Sequence, residues 1–153
     1  TPLAECEKII ANLKAGYPQL SLWQEVVKRQ AKVRRYSETW LGRRRYLPGI
    51  VSDDWGKKSF AERCAMNTPI QGTAADILKM AMARLVVELP EYPWIVPVLT
   101  VHDSLVFYVA EEKVQEAGVL IKGLMERQPF PEFDVPLVAE VATGTNYGEL
   151  DEW

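Results

Sequence analysis

Residues 95 to 109 read IVPVLTVHDSLVFYV, and the rest of the chain is arranged around this stretch. An apolar run breaks at His102 and Asp103 and resumes after Ser104. The apolar flanks, 95–101 and 105–109, are rich in β-branched or aromatic residues and have the length of a strand, which is short for a helix. We therefore predict a hairpin of buried strands, with His102 and Asp103 at its tip.

The two polar residues at this turn permit two interpretations. A turn exposes side chains while the paired strands hold them still, so a carboxylate beside the only histidine of the chain suits a chemical role. Aspartate is also common in turns simply because its side chain bonds the local backbone. These residues alone leave both interpretations open.

Length and composition limit the class of protein. The 153 residues, 48% of them hydrophobic, are enough for one core, and one domain is expected. No apolar stretch approaches the roughly 20 residues of a membrane helix, and the N-terminus lacks the pattern of a secretion signal. Cys6 and Cys64 are far apart and lack a Cys or His at metal-site spacing. We expect a soluble intracellular protein with reduced thiols and no membrane association.

The charge is unevenly distributed along the chain. The segment from Lys28 to Arg63 contains eleven Lys or Arg residues and four Asp or Glu residues. The segment from Glu88 to the end contains three Lys or Arg residues and thirteen Asp or Glu residues. This asymmetry fits a protein that binds a polyanion on one side and handles cations on the other. Two solvated faces would produce the same pattern.

Two helices and a short hairpin are predicted at the start. Thr1-Pro2 is typical of a helix start, and helical spacing continues to Gly16. A second helix is predicted from about Gln19 to Tyr36. Residues 38–41 and 44–47 then flank a Gly-Arg turn and indicate a hairpin. The inward positions of the second helix are expected to be Leu22, Val26, Val27 and Val33.

Three adjacent arginines on this hairpin suggest a phosphate clamp, because the guanidinium fork matches phosphate oxygens. They are Arg43, Arg44 and Arg45. An edge ribbon kept soluble by charge explains them equally well. The following residues, Ile50 to Gly56, are expected to form an irregular polar loop.

The longest predicted element runs from about Lys58 to Leu89. Pro69 lies inside it and removes one backbone hydrogen bond, so we expect a kink or a local opening there. The predicted buried stripe consists of Phe60, Cys64, Ile70, Ala74, Ile77, Leu78, Ala81 and Leu85.

A polar line crosses this opening, because Arg63, Asn67 and Gln71 recur at four-residue steps. Any amphipathic helix shows a polar side to water. A helix optimised only for solubility would favour Lys and Glu over Asn, Thr, Pro and Gln, which favours a functional role here.

After the central hairpin, the pattern predicts a helix from Glu111 to Glu126, a Pro-rich connection over residues 128–134, and a last strand from Pro136 to Val141. A tail with turn-like glycines follows from Gly144. The order of elements predicts an α+β fold in which helices cover one face of a small antiparallel sheet.

Four strings together closely resemble the C-terminal part of the family A DNA polymerases. They are TWLGRRRYLP at 39–48, FAERCAMNTPIQGTAADILKMA at 60–81, TVHDSLVF at 100–107 and VPLVAEVATGTNYGEL at 135–150. The similarity covers essentially the whole chain, and the second string is highly specific. It implies a right-hand polymerase fold with a small antiparallel palm sheet, in which residues 1–58 end the fingers and residues 59–153 form part of the palm.

The resemblance also implies site residues. Asp103 would be one of two aspartates that hold two Mg²⁺ ions, and His102 would position the primer terminus, because Mg²⁺ prefers oxygen ligands. Arg63, Asn67 and Gln71 would contact the minor groove of primer-template DNA, where correctly paired bases present similar acceptors. The expected partners are primer-template DNA and, in the complete enzyme, dNTP.

Two departures from the family pattern bear on activity. Ser104 stands where the family usually has Glu, and a hydroxyl cannot supply that charge. The family's first aspartate motif and its triphosphate-binding helix are not found, so we expect a fragment that is inactive alone. The alternatives are a non-catalytic DNA-binding module that retains the palm scaffold and a degenerate remnant with a structural role. The expected location is the cytoplasm, with a bacterial or phage gene.

Overall fold

The computed structural model describes residues 2–152, with the backbone alone for Glu152. Thr1, the predicted helix cap, lies outside the described residues. The elements are α1 Leu3–Gly16, α2 Pro18–Arg34, β1 Tyr36–Glu38, β2 Arg44–Tyr46, α3 Trp55–Asn67, α4 Thr73–Glu88, β3 Ile95–Val101, β4 Ser104–Val109, α5 Val114–Glu126, β5 Ala142–Asn146 and β6 Glu149–Glu152. A π-turn, Thr68–Gly72, joins α3 to α4, and short 3-10 turns cover Pro48–Val51, Leu89–Glu91 and Glu111–Lys113.

The fold is α+β, as predicted, and its strands form three separate two-stranded antiparallel sheets. The chain divides into two compact units, residues 1–74 and 75–153, where the length alone predicted one core. The core of the N-terminal unit consists of Ala31, Leu47, Ile50, Ala61, Cys64 and Ala65. The core of the C-terminal unit consists of Leu85, Leu89, Ile95, Ala117 and Leu124.

The first two helices bury little of their apolar surface within the N-terminal unit. No residue of α1 is buried, and Ala31 is the buried residue of α2. Leu22 and Val33 were predicted to face inward, but this prediction was wrong, since they are 59% and 79% exposed. The second helix ends at Arg34 because Arg35 adopts a left-handed backbone, with φ 66°.

The arginine hairpin is shorter than predicted, because its first strand ends at Glu38. Residues 39–43 form the turn instead. The amide of Gly42, at φ 81°, donates to the carbonyl of Thr39 at 2.9 Å, and this bond closes the turn before Leu41 can join a strand.

The prediction of an irregular loop at residues 50–56 was also wrong. Ile50 belongs to a 3-10 turn and is completely buried. Asp54 caps α3, because its carboxylate accepts a hydrogen bond from the amide of Lys57 at 3.1 Å. An aspartate that the sequence suggested was a loop residue therefore starts the next helix.

The predicted opening at Pro69 is confirmed by the π-turn, in which Pro69 is the second residue. The predicted buried stripe is only partly correct. Cys64, Ala81 and Leu85 are buried, but Phe60 and Ile70 are 57% and 59% exposed and Ala74 is exposed. The wider π-turn interrupts the 3.6-residue period on which that prediction rested, and α3 buries small residues.

In the C-terminal unit, β3 and β4 pair from Ile95 with Val109 to Val101 with Ser104, which confirms the predicted hairpin. The predicted strand at Pro136–Val141 was wrong. The amide of Ala139 donates to a carboxylate oxygen of Glu126 at 2.9 Å, so it is not available to a strand partner. The last hairpin is formed by β5 and β6. In the described part of the chain, no helix is long and apolar enough to span a membrane.

Candidate functional site

The tip of the central hairpin presents two exposed polar side chains. His102 and Asp103 form the two-residue loop between the paired residues Val101 and Ser104. His102 has a left-handed backbone with φ 55°, a conformation in which His is enriched among non-glycine residues. The hydroxyl of Thr100 donates to the carbonyl of Ser104 at 3.2 Å and ties the two strands together beside the loop. The carboxylate therefore stands on a defined turn.

The strands below this tip are less buried than the sequence suggested. Ile95, at the base, is 4% exposed, whereas Val98 and Leu99 are 42% and 48% exposed. Leu105 and Phe107 of β4 pack against the core of the C-terminal unit. The prediction of buried strands is therefore correct at the base of the hairpin and wrong towards its tip.

The metal-binding capacity of the described residues is limited. No three side chains of His, Cys, Asp or Glu converge in residues 2–151. Mg²⁺ is commonly held by one or two carboxylates together with substrate phosphates and water. The single exposed carboxylate of Asp103 fits one protein ligand in such a set, and not a complete site.

The polar line lies on the N-terminal unit around the π-turn. Arg63 and Asn67 belong to α3, Gln71 belongs to the π-turn, and all three are exposed. The guanidinium of Arg63 donates to the hydroxyl of Ser59 at 2.8 Å. Within the described chain, the side-chain amides of Asn67 and Gln71 make no hydrogen bond to protein, so both can bind an external group.

The arginine hairpin is attached by buried hydroxyl groups to the helices on either side of this π-turn. Ser37 donates to the carbonyl of Ala65 at 2.9 Å, and the amide of Trp40 donates to the hydroxyl of Thr73 at 2.9 Å. A Cβ atom on Gly72 would lie 2.6 Å from the methyl group of Thr39, so the two elements are in close contact. Sequence reasoning missed these hydroxyl residues, although small uncharged side chains within a strongly charged ribbon are a usable signal.

The three adjacent arginines have three different environments. One nitrogen of Arg43 donates to the carbonyl of Gly72 at 2.9 Å. The Cζ atom of Arg44 lies 4.6 Å from the centre of the Tyr36 ring. Its Nε atom lies 3.5 Å from a carboxylate oxygen of Glu38. Electrostatic interaction with Tyr36, and to a lesser extent with Glu38, raises the pKa of Arg44 from its ordinary value. Arg45 is exposed, and its side chain makes no hydrogen bond or ion pair with the described residues.

Part of the basic charge on this unit is neutralised internally. Lys28 is paired with Glu25, and this hydrogen bond lowers the pKa of the Glu25 carboxyl. Lys32 is paired with Glu62 at 2.8 Å. Lys28 and Lys32 are therefore less available to an external anion than unpaired lysines would be.

The predicted site residues fall into two groups. Arg43, Arg44, Arg45, Arg63, Asn67 and Gln71 all lie on the N-terminal unit. His102 and Asp103 lie on the C-terminal unit. The first group surrounds the contact between the hairpin and the π-turn, and the second occupies one hairpin tip.

The chain is similar to known proteins over nearly its whole length. Residues 1–149 match the model of DNA polymerase family A. The chain is 39% identical over 153 residues to the thermostable DNA polymerase I of Thermus filiformis, covering 97% of this chain and 17% of that protein. It is 40% identical over 146 residues to DNA polymerase I of Pseudomonas aeruginosa, and the match covers 95% of this chain and 16% of that protein. It thus spans about a sixth of the length of these relatives.

A similar solved structure is the POL domain of Pol1 from M. smegmatis, in complex with DNA primer-template and dNTP. The match has a TM-score of 0.75 and 35% sequence identity, and it covers 86% of this chain and 24% of that chain.

Proposed function

The chain belongs to DNA polymerase family A, and from this premise we propose that it forms part of the active site of a DNA-directed DNA polymerase. The reaction is transfer of a nucleotidyl group from dNTP to the 3′-hydroxyl of a primer paired with a template: a phosphodiester bond forms at the α-phosphorus, and pyrophosphate leaves. The similar POL domain was solved with primer-template and dNTP, which supports these substrates. In this proposal residues 1–58 end the fingers and residues 59–153 belong to the palm of a cytoplasmic enzyme from a bacterium or phage.

The observation that carries the proposal is the two-residue turn at the tip of the central hairpin. Its exposed carboxylate, Asp103, is held between paired strands, and its neighbour His102 has a defined left-handed backbone. A fixed carboxylate that is not committed to an internal partner is the arrangement that nucleotidyl transfer requires of a metal ligand.

In this proposal Asp103 would hold Mg²⁺ together with further ligands from the complete enzyme and from the triphosphate. The metal would supply Lewis-acid activation of the primer 3′-hydroxyl and charge stabilisation of the triphosphate. His102 positions the primer terminus from the adjacent place on the turn. Ser104 contributes no charge at the place where the family usually has Glu.

The N-terminal unit supplies DNA contacts. The free amides of Asn67 and Gln71 suit the acceptors of the minor groove, which look similar for every correct base pair and so report pairing geometry without reading sequence. Arg63 lies on the same line of α3 and contacts the groove or its edge. Arg45, with Arg43 and Arg44 beside it, binds DNA phosphates.

The test is Asp103→Asn in the polymerase of which this chain forms part. The amide removes the negative charge that the metal requires but retains the size of the side chain, so we expect single-turnover incorporation to fall by roughly a thousandfold or more. The thermal midpoint should change little, because the side chain is exposed and contributes little packing.

Thr100→Ser is the matched control, since it retains the hydroxyl beside the turn and should retain most of the rate. If Asp103→Asn retains most of the rate, the hairpin is a structural turn. The non-catalytic DNA-binding module would then be the better description of this chain.

A further inference from the structure

The carbonyl of Ala65 has an unusual hydrogen-bond partner. In a regular helix it would accept a hydrogen bond from the amide of residue 69, but proline has no N–H at that position. The hydroxyl of Ser37, from the arginine hairpin, donates to this carbonyl at 2.9 Å. Ser37 is 7% exposed, so the contact is shielded from water. The hairpin therefore replaces the donor that Pro69 removes.

The C-terminal end of the π-turn is also held by the hairpin. A guanidinium nitrogen of Arg43 donates to the carbonyl of Gly72 at 2.9 Å. The hydroxyl of Thr73 accepts a hydrogen bond from the amide of Trp40 and donates its own proton to the carbonyl of Pro69. Thr73 is 6% exposed. Contacts from one hairpin thus reach α3 just before the five-residue turn and Gly72, the last residue of the turn.

Gln71 lies between these two attachment points. It has an exposed side chain, and its own position depends on the π-turn backbone that the hairpin holds. Without the Ser37 hydroxyl, the carbonyl of Ala65 would be buried without its replacement donor, which favours a shift of this backbone. A shift of about 1 Å at a contact residue is enough to reduce catalytic efficiency substantially.

We propose that Ser37 and Arg43 are positioning residues for Gln71. They hold the π-turn in the conformation in which the Gln71 amide meets the primer-template minor groove. This inference rests on the proposed function, and it goes beyond it by assigning a role in terminus discrimination to a buried serine that does not contact DNA.

The experiment compares Ser37→Ala, Gln71→Ala and the double variant in the polymerase that contains this chain. The measured quantity is the ratio of single-turnover extension rates for matched and mismatched primer termini. We expect Gln71→Ala and Ser37→Ala each to lower this ratio by roughly 3- to 10-fold, about the effect of one lost hydrogen bond. The double variant should be no worse than Gln71→Ala by more than about twofold, because both changes act through the same side chain.

Ser37→Thr retains the hydroxyl and should restore the ratio. Arg43→Lys also changes a proposed phosphate contact, but that contact affects matched and mismatched termini alike, so its effect on the ratio should disappear, like that of Ser37→Ala, when it is combined with Gln71→Ala. Thermal midpoints identify any variant that is unfolded at the assay temperature, in which case Arg43→Lys decides. Independent, multiplicative losses in the double variant would overturn the inference while the proposed function stands. An unchanged ratio in Gln71→Ala would overturn the proposed groove contact, and the inference with it.

Discussion

Arg43, Arg44 and Arg45 are identical residues in adjacent positions, yet their side chains have different partners. One is bonded to a backbone carbonyl, one lies between a tyrosine ring and a carboxylate, and one extends into solvent. A guanidinium that already has protein partners must exchange them for a phosphate, whereas Arg45 has none to lose among the described residues. Arg45 is therefore the most available phosphate ligand of the three.

Replacing Arg45 with Gln should weaken binding of duplex DNA by the 153-residue chain and make that binding less dependent on salt. The slope of log K against log salt concentration is negative, and one lost phosphate contact reduces its magnitude by about 0.9. Fluorescence anisotropy titrations over a range of salt concentrations measure this slope. The matched control is Arg127→Gln, which removes the same charge from the C-terminal unit and should leave the slope unchanged. Equal effects of the two variants would assign the binding to net charge instead of a local contact.

At the scale of elements, the π-turn and the arginine hairpin form one structural assembly. The residues that join them are small and buried: Thr39 is 3% exposed and Thr73 is 6% exposed. Gly72 permits the close approach, because a side chain there would meet Thr39. The proline and the glycine of the TPIQG segment therefore have separate functions, since one opens the helix and the other leaves room for the hairpin.

Gly72→Ala should destabilise the chain by about 1–3 kcal/mol, because the added Cβ would lie 2.6 Å from the methyl group of Thr39 and force the elements apart. Chemical denaturation measures the free energy of unfolding. Adding Thr39→Ser removes the methyl group but retains the hydroxyl that accepts from the amide of Arg43, so the double variant should recover much of the loss.

Gly123→Ala provides the comparison for this substitution. Gly123 lies in α5 with nothing within 4 Å of an added Cβ, and alanine there should stabilise the chain by about 0.5–1 kcal/mol through helix propensity. A loss at Gly72 that Thr39→Ser does not relieve would show that backbone conformation, and not the contact with Thr39, requires glycine.

At the scale of the whole molecule, the chain consists of two compact units, each with a separate core. The proposed DNA contacts lie on the first unit, and the proposed metal ligand lies on the second. The chain spans about a sixth of the length of the relatives that it matches.

The 153-residue chain by itself should not extend a primer. The carboxylate of Asp103 alone cannot hold the two Mg²⁺ ions that nucleotidyl transfer requires. Gel-based primer extension with Mg²⁺ and all four dNTPs measures the activity, with a complete family A polymerase as the positive control. Mg²⁺-dependent incorporation that is abolished by Asp103→Asn would contradict this expectation and would mean that the chain contains a complete site.

The properties that depend on neighbouring residues could be predicted from the amino-acid sequence. Two short runs of β-branched and aromatic residues around a polar break predicted the hairpin with His102 and Asp103 at its tip. Pro69 predicted the opened helix, because proline cannot donate the bond that a helix requires. The four family strings indicated the polymerase family. The hairpin and the opening at Pro69 depend on residues close together in the chain. The family is recognised from particular residues at characteristic spacings.

Which side chains contact one another across elements could be seen only in the folded chain. Ser37 and Ala65 are 28 positions apart, and no periodicity connects them. The burial of Ile50, the exposure of Phe60 and the different partners of the three arginines depend in the same way on residues distant in the chain. A side chain's partners are set by packing between elements, whereas sequence patterns record only the preferences within one element.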